Sequence, residues 1–154
     1  MTTIRVMAKD EVTHTEKTGA RPWLKPMILC AVGYLVIGVT AAALAGGASS
    51  NQSRVAWRLA AWLASAVAFG AHINAERSQP GGSPTVTAWH VSLAVAFGAF
   101  ALAAAALFHA LSSGTGNTRL LAIALVAWPI LTAVPAFLVA LAVAAALARR
   151  KQPV

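Results

Sequence analysis

Four long apolar stretches alternate with short polar segments along this chain of 154 residues. They cover about residues 27–45, 55–75, 86–111 and 120–148. Each stretch approaches or exceeds the roughly 20 residues that a helix needs to cross about 30 Å of hydrocarbon, at a rise of about 1.5 Å per residue. The pattern therefore predicts four membrane-spanning helices.

The segments that join the stretches have the composition of turns, with the sequences GGASSNQSR, RSQPGGSPT and SSGTGNT. Connections this short place consecutive helices side by side in opposite directions. The stretches are also too long and continuous for the strands of a membrane barrel, which is the only other structure that spans a bilayer. We therefore expect an all-α integral membrane protein, a four-helix transmembrane bundle with antiparallel, up-and-down connectivity.

The two ends of the chain differ from the apolar middle. Residues 1–25 are polar, carry both signs of charge and show no helical or strand period, which predicts a flexible cytoplasmic tail. Residues 149–154 form a short basic C-terminus, so that residues 26–148 make up one four-span domain. An alternative is that the first stretch is a signal peptide cleaved after Ala45, which would leave three spans, although three acids in the preceding segment are atypical of such a signal.

Charge and composition agree with a membrane protein. The chain has 58% hydrophobic residues, above the roughly 45–50% of soluble domains, which excludes a soluble or disordered protein. Its net charge of +8 comes from bases that flank the apolar stretches, so a membrane boundary is predicted and a nucleic-acid partner is not.

The distribution of the bases predicts the orientation. With four spans, three bases fall on one side, and nine fall on the side of both termini: Arg5, Lys9, Lys17, Arg21, Lys25, Arg77, Arg149, Arg150 and Lys151. Because cytoplasmic loops of membrane proteins are enriched in Lys and Arg, both termini are expected in the cytoplasm, with the chain in the plasma (inner) membrane.

The second stretch carries most of the polar chemistry. Glu76 is the only carboxylate beyond the N-terminal tail. Steps of about 100° per residue place six side chains on one stripe about 27 Å long: Arg58, Trp62, Ser65, Phe69, His72 and Glu76. Such a stripe indicates either the face turned to the bundle interior or a polar pathway along the helix.

Three residues of this region form the best candidate site. His72 and Glu76 are four residues apart on one helix and can pair, and His90 lies at a similar depth across the connection. His72 and His90 are candidate axial ligands of a bis-histidine haem. With Glu76 they also match the ligand set of a divalent metal. Alternatively, each histidine is an interfacial residue that bonds a backbone carbonyl or a lipid head group.

The fourth stretch contains Pro129 and Pro135. Each removes an amide donor and can kink a helix, so both are candidate hinge positions.

The leading functional prediction is a non-catalytic accessory or assembly subunit, because the sequence shows no nucleotide motif and no nucleophile paired with a base. Its expected partners are the lipid bilayer and other membrane subunits or a second copy of itself. One alternative is a membrane redox protein with haem or metal at His72 and His90. A further alternative is a small proton-linked transporter or channel, in which His72 and Glu76 carry protons.

Overall fold

The computed structural model describes residues 23–78 and 83–150, which form four helices. They are α1 (Leu24–Gly46), α2 (Asn51–Arg77), α3 (Pro84–Ser113) and α4 (Thr118–Arg150). These described residues contain no strand, so the all-α prediction is confirmed for this part of the chain. The predicted tail lies outside the described residues up to position 22, and the predicted C-terminal segment lies outside them from position 151.

Polar caps set the ends of the helices. Each helix extends one to four residues beyond the apolar stretch that predicted it. The side-chain oxygens of Ser50, Ser83 and Asn117 each accept a hydrogen bond from the backbone N–H three residues further on. Gly114 ends α3 with φ 67°, a left-handed conformation that glycine adopts without strain. Capping therefore continues the helices past the limits of their apolar residues.

The first turn of α1 includes three residues that the sequence pattern did not assign to a span: Leu24, Lys25 and Pro26. The helix begins at Leu24, so Lys25 and Pro26 belong to it. Proline is tolerated there because the N–H groups of a first turn have no partner within the helix.

Helix α4 continues through both of its prolines. Near the first of them, the Thr132 hydroxyl donates to the carbonyl oxygens of Trp128 and Pro129, at 2.9 and 3.1 Å. Side-chain hydroxyls that bond back to the preceding turn are one way in which membrane helices accommodate proline. A hinge at Pro129 or Pro135 stays a prediction.

Three of the helices are long and apolar enough to cross a membrane: Leu24–Gly46, Pro84–Ser113 and Thr118–Arg149. Helix α2 has 27 residues, about 40 Å at the helical rise, but it carries polar residues at both ends and Arg58 near its start. It is therefore long enough to span but less apolar than the other three.

The outward surface of the helices is strongly apolar. Several large side chains have more than two thirds of their area exposed, among them Trp62 (79%), Phe108 (74%), Val67 (73%) and Leu29 (72%). Proteins in water rarely expose apolar side chains on such a scale. The exposed surface and the three apolar helices together indicate a membrane location.

The four helices pack unequally. The most extensive contact joins α3 and α4, where Ala140 and Ala144 are fully buried one turn apart and allow close approach. Helix α1 packs against α2 and α3, whereas α2 contacts α3 sparingly and α4 hardly at all. The buried residues of α2 all lie in its last two turns: His72, Ile73 and Glu76. Helix α2 is therefore anchored by its C-terminal end.

Candidate functional site

The three side chains of the predicted site meet where α2 ends and α3 begins. Glu76 Oε2 lies 2.9 Å from His90 Nδ1, a hydrogen bond in which the imidazole N–H donates to the carboxylate. Glu76 Oε1 lies 3.8 Å from His72 Nε2, which is beyond hydrogen-bond distance. The carboxylate therefore lies beside both imidazoles, and we call these three residues the Glu76 cluster.

Local sequence accounts for this arrangement. His72 and Glu76 share a face of α2 because they are one helical turn apart. On the other side of the connection, Ser83 caps α3 and Pro84 occupies its first position, where a fixed φ favours helix formation. His90 consequently lies in the second turn of α3, level with the last turn of α2.

The cluster is buried and only partly satisfied. Glu76 is 5% exposed and His72 is 2% exposed, whereas the His90 side chain is 18% exposed. Both ring nitrogens of His72 and Oε1 of Glu76 are buried with no hydrogen-bond partner in the described part of the chain. Burying such groups without partners is costly, and in membrane helices ionisable residues of this kind mark functional positions by default.

Trp23 covers the cluster from the start of α1. Its ring stacks on the His90 imidazole, with centroids 4.8 Å apart and planes inclined by 11°. No sequence pattern connects positions 23 and 90, so sequence reasoning missed this contact. Through it, α1 joins α2 and α3 around the cluster.

The geometry leaves the haem and metal assignments as predictions. Within residues 23–78 and 83–150, no group of three or more His, Cys, Asp or Glu side chains is arranged to hold a metal ion. A bis-histidine haem requires the imidazoles of His72 and His90 on opposite faces of one iron, and Glu76 lies against both rings. A visible spectrum and elemental analysis of the purified protein test both assignments.

The predicted stripe of α2 divides into two parts. Its C-terminal part, Phe69, His72 and Glu76, is partly or fully buried against the other helices. In its N-terminal part, Arg58 is exposed and Trp62 is 79% exposed. The structure thus turns the C-terminal part of the stripe toward the bundle interior and leaves Arg58 and Trp62 of the N-terminal part facing outward.

Sequence reasoning also missed a cavity of about 450 Å³ between the four helices. Its walls include Tyr34 of α1, Ser65 of α2, Gly98 of α3 and Trp128 of α4. The Tyr34 hydroxyl is buried and has no hydrogen-bond partner among the described residues. The sequence held one indication of this cavity: Tyr34, the only tyrosine of the chain, lies inside an uncharged stretch, where its hydroxyl needs a partner.

Comparisons of the chain with protein-family models, with curated proteins and with solved structures found no match.

Proposed function

We propose that the chain is a non-catalytic accessory or assembly subunit that binds another membrane subunit, or a second copy of itself, through α2. The observation that carries this proposal is a mismatch in α2, which is the least apolar of the four helices and also the least covered. A polar helix in a bilayer is normally the one most shielded from lipid. A partner on α2 resolves that mismatch.

The proposal includes a four-span, up-and-down topology. Two contacts support the same direction for α1 and α3, because Tyr34 lies against Gly98 and, further along both helices, Gly38 lies against Leu102. Helices α3 and α4 pack along each other and are joined by residues 114–117 alone, which supports opposite directions. The nine bases on the side of the termini support a cytoplasmic location of both ends in the plasma membrane.

The outward face of α2 has the composition of an interface. Trp62 and Arg58 lie one turn apart on it, and Trp and Arg are among the side chains most enriched in the energetic centres of protein interfaces. An arginine that faces lipid is unfavourable by about 2.5–3.5 kcal/mol at the centre of a span, and by less near its end. A partner that accepts hydrogen bonds from Arg58 removes that penalty.

Cross-linking in native membranes tests the interface. In a Cys30→Ala background, Trp62→Cys that carries a thiol-linked photoreactive cross-linker is expected to yield one discrete, larger species, because position 62 faces the partner. Phe108→Cys is the matched control, since Phe108 is equally outward at 74% exposed but lies on α3. Equal cross-linking at both positions, or none at position 62, would contradict the proposal.

A second function, a proton-linked transporter or channel, is favoured by the Glu76 cluster. His90 is partly accessible, Glu76 is hydrogen-bonded to it, and buried His72 lies on the far side of the carboxylate. Phe69, one turn before His72, lines the cavity. Chains of Asp, Glu and His inside membranes commonly relay protons, and this one leads from the bundle end toward the cavity.

Proton flux distinguishes the two functions. The chain alone, reconstituted in liposomes with an entrapped pH-sensitive dye, is expected to show no flux if it is only an assembly subunit. If it is a proton carrier, His72→Ala abolishes the flux and His109→Ala leaves it intact, because His109 is exposed near the opposite end of α3. A flux unchanged in His72→Ala would remove the cluster from the proton path.

A further inference from the structure

We infer that the cavity between the four helices binds a neutral, planar, largely apolar molecule that carries a carbonyl oxygen, such as a ketone or a quinone. Trp62 belongs both to the lining of this cavity and to the assembly surface of α2 proposed above, so the two sites adjoin. Its volume of about 450 Å³ lies within the roughly 300–1,000 Å³ typical of small-molecule sites.

Small side chains line much of the space. Six residues that line the cavity are glycine or alanine: Gly38, Ala61, Ala66, Gly98, Ala99 and Ala136. Helix α2 contacts α3 and α4 little along its whole length, and the cavity is lined by residues of all three. The cavity opens to the outside beside Trp62 and Trp128, which are 79% and 49% exposed, so a molecule dissolved in the bilayer can enter it from the side.

The walls favour a flat apolar molecule over an ion or water. No charged side chain occurs among the described residues that line the cavity. Four of its lining residues are aromatic, in a chain with only five Trp, five Phe and one Tyr: Tyr34, Trp62, Phe69 and Trp128. Aromatic walls bind planar molecules by stacking and edge contacts, and apolar cavities do not hold water stably.

The Tyr34 hydroxyl calls for a hydrogen-bond acceptor on the ligand. Its hydroxyl is buried, and no residue of the described chain pairs with it. The Thr132 hydroxyl, which belongs to another lining residue, donates to carbonyls of its own helix. A ligand that accepts a hydrogen bond from Tyr34 satisfies the remaining buried donor.

The depth of Tyr34 argues against a phospholipid as the occupant. Tyr34 follows Leu24, the first residue of α1, by ten positions, or about 15 Å along the helix. This places the hydroxyl near the middle of a hydrocarbon layer about 30 Å thick. Phospholipid ester carbonyls lie at the membrane surface, so the acceptor must belong to a molecule that enters the hydrocarbon core.

Binding of 2-methyl-1,4-naphthoquinone to the purified full chain in lipid nanodiscs tests the inference. The quinone is expected to quench tryptophan fluorescence in a saturable manner, because Trp62 and Trp128 line the cavity. Tyr34→Phe should weaken its affinity about 2- to 10-fold, the effect of one hydrogen bond. Ala136→Leu, which fills the cavity, should abolish the saturable quenching.

Ala122→Leu is the matched control, because Ala122 is an exposed residue of the same helix and does not line the cavity. It should bind the quinone like the wild type. The absence of saturable quenching in the wild type, or its persistence in Ala136→Leu, overturns the inference. Equal affinity in the wild type and Tyr34→Phe overturns the role of the hydroxyl, and this variant tests the site even if Ala136→Leu does not fold.

Discussion

Replacing Glu76 with alanine is expected to lower the free energy of unfolding by about 2–3 kcal/mol. The carboxylate is 5% exposed and is hydrogen-bonded to His90 at 2.9 Å. Its removal leaves an imidazole N–H without its acceptor and a void beside His72. The expected value lies below the roughly 3–5 kcal/mol of a fully buried broken pair, because water reaches part of His90, whose side chain is 18% exposed.

Two further variants give this experiment its controls. Glu76→Gln retains a side-chain oxygen that accepts from His90, so we expect a loss of about 1 kcal/mol. Asn74→Ala changes an exposed side chain on the same turn of α2 and should stay within about 0.5 kcal/mol of the wild type. Unfolding by SDS in mixed micelles, followed by circular dichroism, measures all three. Identical transitions for Glu76→Ala and Asn74→Ala would show that the hydrogen bond contributes nothing to stability.

In Glu76→Ala, the lost stability should mainly loosen the packing of α2 against the other helices. Its buried residues are confined to the last two turns, and Ile73 there joins a core cluster with Ala88 and Val91 of α3 and Ala140 of α4. The Glu76–His90 hydrogen bond links two of these helices, α2 and α3. The hydrogen bond and the apolar packing thus both hold the C-terminal end of α2 in place. The N-terminal end of α2 has no buried residue of its own.

The elements and part of the site follow from local sequence. Apolar length and turn composition predict all four helices, and caps such as Ser83 account for the difference in their ends. The pairing of His72 with Glu76 follows from helical spacing. The proximity of His90 follows from its similar distance from the connection. Each of these inferences uses residues that are close along the chain or related by a single turn.

The features that the sequence did not predict depend on how the helices are rotated against one another. Helices that are apolar all round have no distinct polar face to set their rotation, and alanine-rich surfaces permit many close packings. The outward position of Trp62, the stacking of Trp23 on His90 and the cavity beside Tyr34 are all results of that packing. For this reason the sequence pattern of α2 predicted one continuous stripe, whereas its two parts lie in different surroundings.

Gly98→Ala is expected to destabilise the protein by about 1–3 kcal/mol through overpacking between α1 and α3. A Cβ at position 98 would lie 2.8 Å from the Cβ of Tyr34 and 3.2 Å from the carbonyl oxygen of Ala31. Both atoms belong to or adjoin the backbone of α1, so they cannot rotate away. The two helices must separate, and the Tyr34 hydroxyl moves relative to the cavity that it lines.

Two other glycines separate this steric effect from the general effect of adding a methyl group. Gly70→Ala meets no atom within 4 Å, so the higher helix propensity of alanine should leave stability unchanged or raise it by up to about 1 kcal/mol. Gly38→Ala meets the two terminal methyl groups of Leu102 at 3.0 Å, and a flexible side chain can yield, so its loss should be smaller than that of Gly98→Ala. The same SDS titration ranks the three variants. If Gly98→Ala and Gly70→Ala unfold at the same SDS concentration, α1 and α3 do not pack through Gly98. The position of Tyr34 in the cavity is then wrong.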